Sequence, residues 1–359
     1  MNERPKFFDD LAGVAGGAIS ALAGIREEAE SMVRARVDEA IRTLGYVPSA
    51  VARSLKSNTT RTLGMLIPNS SNPYFAEIVR AVEDRCFASG YALILCNTDD
   101  APKRQSVYLT VLAERRIDGL IVVSTGDDDA LVAQLHGLKM PTVLLDREIG
   151  DPGCDMVETA HREGALLAVR HLLALGHRRI ACIAGPAHVI AGEQRVEGWR
   201  EALAAAGVAP SAIPPLRRGG FTSQGGYEAM RAILDDEPDA MRRPSAVFVC
   251  NDLMAIGALR AAHERAVRVP EDLSLVGFDD IELAAYTSPP LTTVAQPKER
   301  IGALAVDLLI ERLSGRRHEA RKVMLQPELR VRASTATARH AAAARAAART
   351  SSPTSSRTS

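Results

Sequence analysis

Hydrophobic and polar positions after residue 60 alternate between two kinds of segment. Short runs are apolar at nearly every position, as expected of parallel strands that helices cover on both faces. Longer segments between them repeat apolar residues at the spacing of amphipathic helices. The predicted strands are, in chain order, TLGMLI, ALILC, GLIVV, TVLL, RIACIA, AVFVC and LSLVGF. This alternation predicts βαβ units and therefore an α/β fold with parallel sheets.

The helix predicted at FAEIVRAVEDRCFASG shows the helical spacing clearly. Its predicted apolar face consists of Phe75, Ile78, Val79, Val82 and Phe87. Glycine ends this helix and the helices predicted at ALLAVRHLLALG and GWREALAAAG, in keeping with the preference for glycine just after a helix.

Two segments rich in turn-forming residues interrupt the series of strands. DREIGDPGCD follows the fourth predicted strand, and SPPLTTVAQP lies near residue 290. Because the strands are also too many for one ordinary open sheet, we predict two lobes with doubly wound parallel sheets, connected more than once, with a cleft between them. We assign residues 61–160 and 292–318 to the first lobe, and residues 161–291 and 319–335 to the second.

The two ends of the chain differ from this pattern. The first 60 residues contain no strand-like run and predict a small helical head on a tether. Residues 336–359 carry four arginines and no acidic residue, and end in Ser, Thr and Pro. We predict a disordered tail there, and favour a solvated extension over an arm that binds nucleic acid.

Composition serves mainly to exclude classes of protein. The 359 residues carry 44 Lys and Arg against 44 Asp and Glu, which excludes a uniformly basic protein but allows a local basic patch. No apolar run approaches the ~20 residues of a membrane-spanning helix, and MNERPKFFDD lacks the apolar core of a secretory signal. We therefore expect a cytoplasmic protein with no membrane partner. Five widely spaced cysteines are expected to be reduced core thiols.

The sequence contains no catalytic or cofactor motif. GxSxG, GxxxxGK[ST], HExxH and paired CxxC are absent, and the eight histidines lack the spacing of metal ligands. His171 and His177 flank a predicted helix end, where we expect them to cap carbonyl groups. The GDDD run at residues 126–129 is expected to begin a helix rather than to bind a metal. We therefore predict a protein that is not an enzyme and needs no cofactor.

Polar residues follow several predicted strands at their carboxyl ends, where open α/β sheets bind ligands. The segments are PNSSNPYF, DR, CND and GFDD. With neighbouring aromatic residues they offer groups that hydrogen-bond hydroxyls and faces that stack on a sugar or a base. Helix capping is the alternative role, which we favour for Asp252 and Asp280 more than for Asp279 and Asn251.

These segments resemble the LacI/GalR family of bacterial transcription regulators. The matches are, in chain order, GYVPSAVARSLKS, SNPYFAEIVRAVED, LILCNTDD, ERRIDGLIVV, VLLDRE, LAVRHLLALGHRRIACIAGP, CNDLMAIGALRA and VPEDLSLVGFDDIELAAYTSPPLTTVAQP. The resemblance covers roughly residues 10–335. It implies an all-α helix-turn-helix head (1–47), a hinge helix and linker (48–60), and a two-lobed, periplasmic-binding-protein-like effector domain (61–335), usually dimeric.

Carried over residue by residue, the resemblance implies an effector site in the cleft. Its contacts fall on Tyr74, Phe75, Asp146, Arg195, Phe221, Asn251, Asp279 and Gln296. A guanidinium donates to two acceptors, a carboxylate accepts from neighbouring hydroxyls and a phenyl ring offers a flat face, so we expect a sugar or nucleobase-like effector. Ala160 and His161 stand where the family usually has Asp-Asn, so its usual hydrogen bonding between the lobes is not expected near this crossover.

The resemblance also implies contacts with operator DNA. They fall on Ser20, Arg34, Tyr46, Ala52, Arg53, Leu55 and Lys56. Leu55 would be an apolar wedge in a minor-groove step, with Arg53 and Lys56 near phosphates.

The head departs from the family pattern in the region that reads DNA. Ala18, Ala21 and Gly24 stand where the family has Thr, Arg and Asn, and these residues cannot make bidentate contacts to bases. Residues 1–30 carry three basic and six acidic side chains, net −3, whereas residues 34–61 carry six basic and two acidic ones, net +4. Attraction to phosphate is therefore expected only in the third helix and the hinge.

We predict a dimeric, ligand-responsive transcription regulator, of the repressor type, that binds a palindromic operator. The alternative is a cytoplasmic small-molecule binding protein with a vestigial head. The acidic head favours this alternative, and the intact hinge disfavours it. An enzyme that uses the cleft is the least favoured hypothesis.

Overall fold

A computed structural model describes most of the chain from Thr59 to Ala338 and one helix before it. The described residues are 26, 29, 31–44, 59–123, 133–135, 137–138, 140–146, 153–237, 239 and 242–338. The chain divides into two compact units, Met1–Thr60 and Arg61–Ser359. In the first unit, residues 31–44 are helical (α1) and include Arg34. The other predicted DNA contacts lie outside the described residues, as do the GDDD run and the predicted tail from residue 339 onward.

Within the described ranges, seven further α-helices with defined bounds belong to the second unit. They are α2 (Pro73–Ala88), α3 (Pro102–Glu114), α4 (His161–Ala174), α5 (Ile190–Ala205), α6 (Ser223–Asp236), α7 (Asp252–Glu264) and α8 (Lys298–Leu313).

The first lobe of this unit is built on a six-stranded parallel sheet. Its strands are β1 (Thr62–Ile67), β2 (Ala92–Asn97), β3 (Gly119–Val123), β4 (Thr142–Leu145), β5 (Asp155–Thr159) and β11 (Lys322–Leu325). Their order is β11-β5-β4-β3-β1-β2, and every neighbouring pair is parallel. Helices α2 and α8 pack together, and α8 also covers β3, β4 and β5.

The second lobe repeats this plan with one antiparallel edge. Its strands are β6 (Ile180–Ala184), β7 (Arg217–Arg218), β8 (Ala246–Val249), β9 (Ser274–Asp279), β10 (Thr292–Ala295) and β12 (Glu328–Arg330). The order is β12-β10-β9-β8-β6-β7, in which only the pair β10–β12 is antiparallel. Helices α4 and α5 pack together, as do α6 and α7. Two α/β lobes with parallel-dominated sheets confirm the predicted fold class.

The chain passes between the lobes three times, after β5, after β10 and after β11. Two predicted lobe boundaries are therefore wrong. Residues 292–295 belong to the second lobe because they pair with β9, and residues 322–325 belong to the first because they pair with β5. The short strand TTVA follows two prolines and carries two hydroxyl side chains, so its polar pattern resembles a linker more than a buried strand.

One helical face was predicted incorrectly. Phe87, expected on the apolar face of α2, is 86% exposed, whereas Cys86 is 1% exposed. Cys86 follows Val82 by four positions and so returns to the same face of the helix. Phe87 follows Val82 by five positions and lies about 140° away from it around the helix axis. All five cysteines are buried and free, as predicted.

His171 and His177 do not cap the end of α4; they bind the C-terminal segment. Nε2 of His171 lies 3.0 Å from Oγ1 of Thr335. The His177 ring is hydrogen-bonded to Oγ of Ser245 at 2.9 Å and to the carbonyl of Ala336 at 2.9 Å. Both rings therefore hold residues 334–338 against the second lobe.

Within the described ranges, no helix combines the length and apolarity needed to cross a membrane.

Candidate functional site

A cavity of about 150 Å³ lies between the two lobes at the carboxyl ends of their strands. Seven of the eight predicted effector residues line it: Tyr74, Phe75, Asp146, Arg195, Phe221, Asn251 and Asp279. The eighth, Gln296, lies behind this wall, where its Oε1 lies 3.1 Å from Tyr74 Oη and its Nε2 donates to Asp279 at 2.8 Å. The structure thus brings all eight residues together.

The first lobe contributes Tyr74 and Phe75 from the start of α2. Asn72 caps this helix by accepting from the Tyr74 amide at 3.1 Å, and Pro73 fits the first helical position. The two aromatic rings meet edge to face with centroids 5.2 Å apart. Burial raises the pKa of Tyr74 well above its ordinary value, and Asp146 and Asp279 raise it further, so the phenol acts as a hydrogen-bond donor.

Asp146 follows β4 and is surrounded by hydrogen-bond donors. Tyr74 Oη donates to its Oδ2, the Thr159 amide donates to Oδ1 at 3.2 Å, and His161 Nε2 lies 3.4 Å from Oδ1. Burial by itself would raise the pKa of Asp146, but His161, the Tyr74 hydroxyl and Arg195 together hold it at about 2. The carboxylate is therefore ionised at neutral pH.

Arg195 projects from α5 of the second lobe and is 5% exposed. Its NH1 donates to the Cys250 carbonyl at 2.5 Å and lies 3.5 Å from Asp279 Oδ1. The guanidinium carbon sits 4.0 Å from the centroid of the Phe278 ring, a cation–π geometry. Its buried Nε has no hydrogen-bond partner among the described residues, so the group keeps an unused donor.

Asp279, at the end of β9, is held from two sides. Gln296 donates to its carboxylate, and Nζ of Lys298 donates to its backbone carbonyl at 2.8 Å. Burial raises the pKa of Asp279 to about 6, although Arg195, Gln296 and Lys298 oppose this effect. Ionisation of Asp279 at neutral pH therefore costs free energy. Hydrogen-bond donors of a bound ligand would reduce this cost.

Three site residues adopt left-handed backbone conformations that side chains other than glycine rarely take. The φ angles are 51° at Asp146, 59° at Phe221 and 114° at Asp279. Strain of this kind clusters at functional sites, because it persists only where the surroundings enforce it. The Phe221 ring packs over Gly185, where a Cβ would lie 2.2 Å from the ring, so glycine is required there.

The predicted division between ligand-facing and capping residues is wrong in part. Asn251 caps α7 by accepting from the Met254 amide at 2.9 Å, while its Nδ2 donates to the Phe221 carbonyl at 3.3 Å. Asp252 caps nothing: it is fully buried and accepts from Thr293 Oγ1 at 2.6 Å and from the Ile281 amide at 3.0 Å. Contacts between distant segments decide these roles.

Asp280 is likewise no helix cap. Its carboxylate accepts from NH2 of Arg332 at 2.6 Å, which joins the turn after β9 to the C-terminal segment. Sequence reasoning also missed Lys298, which donates to the backbone carbonyls of Asp279 and Asp280. The sequence signal that could have identified Lys298 is its position directly after β10, where the chain crosses back to the first lobe.

Taken together, the cavity offers three carboxylates, a guanidinium, amides, an imidazole and three aromatic rings. This combination suits a small polar ligand with several hydroxyl or N–H groups and one flat face.

Comparison with known proteins identifies the family to which the chain belongs. A family model of the periplasmic binding protein-like domain matches residues 169–335. The HTH-type transcriptional repressor PurR of Aliivibrio fischeri is 41% identical over 326 residues, which cover 90% of this chain and 96% of that protein. The chain belongs to the LacI/GalR family of transcription regulators. The ribose operon repressor of Escherichia coli is 39% identical over 327 residues, covering 90% and 97% of the two chains.

Solved structures of LacI-family proteins share this fold. A LacI family transcriptional regulator from Enterococcus faecium with bound ribose has a TM-score of 0.70 at 32% identity, covering 77% of this chain and 99% of that one. The lac repressor dimer bound to operator and the anti-inducer ONPF has a TM-score of 0.72 at 27% identity, with coverages of 81% and 99%. The predicted family and the two-lobed fold are confirmed.

Proposed function

We propose that this LacI/GalR-family protein is a ligand-responsive transcriptional repressor that binds a sugar-like effector in the cleft and a palindromic operator through its head and hinge. The observation that carries the effector half is the convergence of Asp146 from one lobe and Arg195 with Asp279 from the other on one cavity. The relatives named above as repressors support the DNA-binding half and favour a protein without enzymatic activity.

The effector binds by bridging the lobes. Asp146 accepts from hydroxyls on one side, Arg195 and Asp279 engage the opposite side, and Phe221 covers a ring face. A ligand that touches both lobes binds the closed arrangement more tightly than the open one and so shifts the population toward closure. This difference in affinity is what couples the cleft to DNA binding.

The DNA contacts of the proposed repressor lie in the head and the hinge. Arg34 on α1 and Arg53 and Lys56 in the hinge meet phosphates, while Leu55 enters the minor groove. Ser20, Tyr46 and Ala52 complete the contacts. A dimer matches the two-fold symmetry of a palindromic operator, and the protein acts in the cytoplasm beside the DNA.

Calorimetry on the full-length protein tests the effector half. D-ribose is the first probe, because two of the similar proteins carry ribose in their names, followed by other pentoses, hexoses and purine bases. We expect saturable binding of one sugar with one site per chain. Absence of binding by every compound, with folded protein, would overturn the effector assignment.

Selection from a pool of random duplexes at physiological salt tests the DNA half. Enrichment of a palindrome supports the repressor, and Leu55→Ala should then weaken DNA binding while leaving sugar affinity unchanged. The second candidate is a small-molecule binding protein with a vestigial head, favoured by Ala18, Ala21 and Gly24 at the reading positions. Sugar binding without any enriched sequence would establish this second candidate.

A further inference from the structure

His161 is the first residue of α4, directly after the chain crosses from β5 into the second lobe. It is 3% exposed. Its Nδ1 lies 3.3 Å from NH2 of Arg195 and its Nε2 lies 3.4 Å from Oδ1 of Asp146. The ring therefore joins a proposed effector residue of one lobe to one of the other.

The chemistry of Arg195 determines how this histidine is protonated. A guanidinium has only donors, so Nδ1 of His161 must accept and carries no proton. In the neutral ring the proton then sits on Nε2, which faces the Asp146 carboxylate. His161 thus accepts from the second lobe and directs its N–H toward Asp146 of the first at 3.4 Å, an electrostatic contact rather than a hydrogen bond.

We infer that His161 is a positioning residue of the effector site, which sets the Asp146 carboxylate and the Arg195 guanidinium against each other across the cleft before an effector arrives. The inference rests on the proposed function. His161 is absent from the lining of the main cavity, so it acts on the effector through these two partners.

A second, smaller cavity next to Asp146 argues against a purely structural role for His161, because polar atoms around it lack hydrogen-bond partners. His161, Asp146, Glu158, Thr159 and Gln194 contribute to its lining, which comprises about 10 Å³ of space. His161 Nε2 and Thr159 Oγ1 are buried, and neither has a hydrogen-bond partner in the part of the chain that is described. An apolar side chain would satisfy a purely structural role better, since an unpaired buried polar atom costs free energy.

The surroundings keep His161 neutral at physiological pH. Burial lowers its pKa, and Arg195 on α5 lowers it further, while Asp146 after β4 and Glu163 on α4 act in the opposite direction. The other charged groups near it are Glu158 on β5, which lines the same small cavity, and Asp279 on β9, which lies beside Arg195. The amino terminus of α4 also disfavours a cation at this position. Protonation at low pH would remove the acceptor that holds Arg195.

Calorimetry with D-ribose, or with the sugar that binds in the panel, compares His161→Gln and His161→Leu with the unchanged protein. Glutamine keeps one acceptor and one donor, whereas leucine keeps neither. We expect His161→Leu to weaken binding at least about tenfold and His161→Gln to stay within about threefold. His171→Gln, on the same helix and outside the cavity, is the matched control, and circular dichroism checks folding.

The pH profile separates positioning from packing. Below the pH at which His161 gains a proton, affinity should fall more steeply in the unchanged protein than in His161→Gln, because only the former protonates at this position. Asp279 titrates in both proteins with a pKa of about 6 and contributes equally to the two slopes. Equal affinity of His161→Leu and the unchanged protein, or equal losses in both variants, would overturn the inference.

A measurement without ligand keeps the inference independent of the proposed function. Long-range ¹⁵N–¹H NMR of the imidazoles, assigned with His161→Gln, should show a neutral His161 protonated on Nε2 at pH 7.5. Arg195→Ala should shift the Nδ1 resonance. A ring protonated on Nδ1 would overturn the inference, whereas failure of every sugar to bind beside the expected tautomer would count against the proposed effector alone.

Discussion

The two walls of the cleft treat their buried carboxylates differently. On the first lobe, Asp146 has donors on both oxygens and a pKa of about 2. On the second lobe, the Asp279 side chain is 4% exposed, against 11% for Asp146, and has a pKa of about 6. Burial and the charge of Asp279 raise the pKa of the neighbouring Asp252 well above its usual value. Without a ligand, the surroundings therefore stabilise the ionised carboxylate on the first wall and destabilise the ionised carboxylates on the second.

The difference indicates where an effector gains its binding energy. Donors of a ligand that meet Asp146 compete with Tyr74 and Thr159, which already bind it. Donors that meet Asp279 reduce a cost that the ligand-free protein already bears. We therefore expect the second wall to dominate affinity and the first wall to dominate the stability of the ligand-free fold.

Arg195→Ala should have the largest effect on sugar affinity of the changes considered. It removes a side chain that contacts Asp279, His161 and the Cys250 carbonyl together, and leaves these buried groups without the cation that they share. We expect sugar affinity to fall by about 2 kcal/mol or more in calorimetry. Arg200→Ala, an exposed change on the same helix, is the control. An unchanged affinity for Arg195→Ala would remove this residue from the site.

Asp146→Asn and Asp279→Asn should change stability in opposite directions at pH 7.5. The pKa of Asp279 rises from 3.8 to about 6 on folding, so its ionisation destabilises the fold as the pH rises through that range. The pKa of Asp146 falls from 3.8 to about 2, so its ionisation stabilises the fold above that range and is lost as the pH falls toward 2. We expect Asp279→Asn to stabilise by about 3 kcal/mol and Asp146→Asn to destabilise by less, because His161 is neutral at this pH and supplies none of the charge that helps to lower the pKa of Asp146.

Denaturant unfolding at pH 7.5 and at pH 4 measures this contrast. The gain from Asp279→Asn should largely vanish at the lower pH, where the carboxyl of the unchanged protein is already neutral. Sugar binding should weaken despite the gain in stability, by less than in Arg195→Ala. Destabilisation by both substitutions at pH 7.5 would contradict the difference between the walls.

Gly185→Ala tests the aromatic part of the second wall. Its Cβ would lie 2.2 Å from a carbon of the Phe221 ring, so the ring must leave its position. At Gly192 the same methyl would lie 3.0 Å from this ring, which makes Gly192→Ala a graded control. We expect a loss of sugar affinity of about 1 kcal/mol at Gly185 and less at Gly192. The reverse order in calorimetry would show that the ring does not face the effector.

The apolar strands were predictable from sequence because their pattern reports burial directly. All seven predicted runs contain strands, but β5, β7, β10, β11 and β12 were missed. In DMVET of β5, Asp155 is fully buried only because Arg317 pairs with it, and in TTVA of β10 the Thr293 hydroxyl is satisfied by Asp252. Partners so distant in sequence leave no local signal, so polar strands of this kind cannot be predicted from pattern alone.

The site could be predicted for the same reason that it forms. Parallel strands deliver their carboxyl ends to one edge, so polar residues after separate strands meet. What could not be predicted is how the residues share their hydrogen bonds. Asn251 and Asp252 are adjacent and chemically similar, yet one caps a helix and the other joins β10 to the turn after β9. That choice depends on which segments pack nearby.

Glu77→Ala should have the smallest effect, because it changes a link between the walls rather than either wall. Glu77 of α2 accepts from the Glu282 amide at 3.0 Å and pairs with Nζ of Lys298 at 2.9 Å. Since Lys298 also holds the Asp279 carbonyl, the pair joins the first lobe to the turn that carries Asp279. Glu77 is partly exposed, so its loss should cost about 0.5–1 kcal/mol of sugar affinity. Glu83→Ala on the exposed side of the same helix is the control, and an equal effect of both changes in calorimetry would show that the link plays no part in binding.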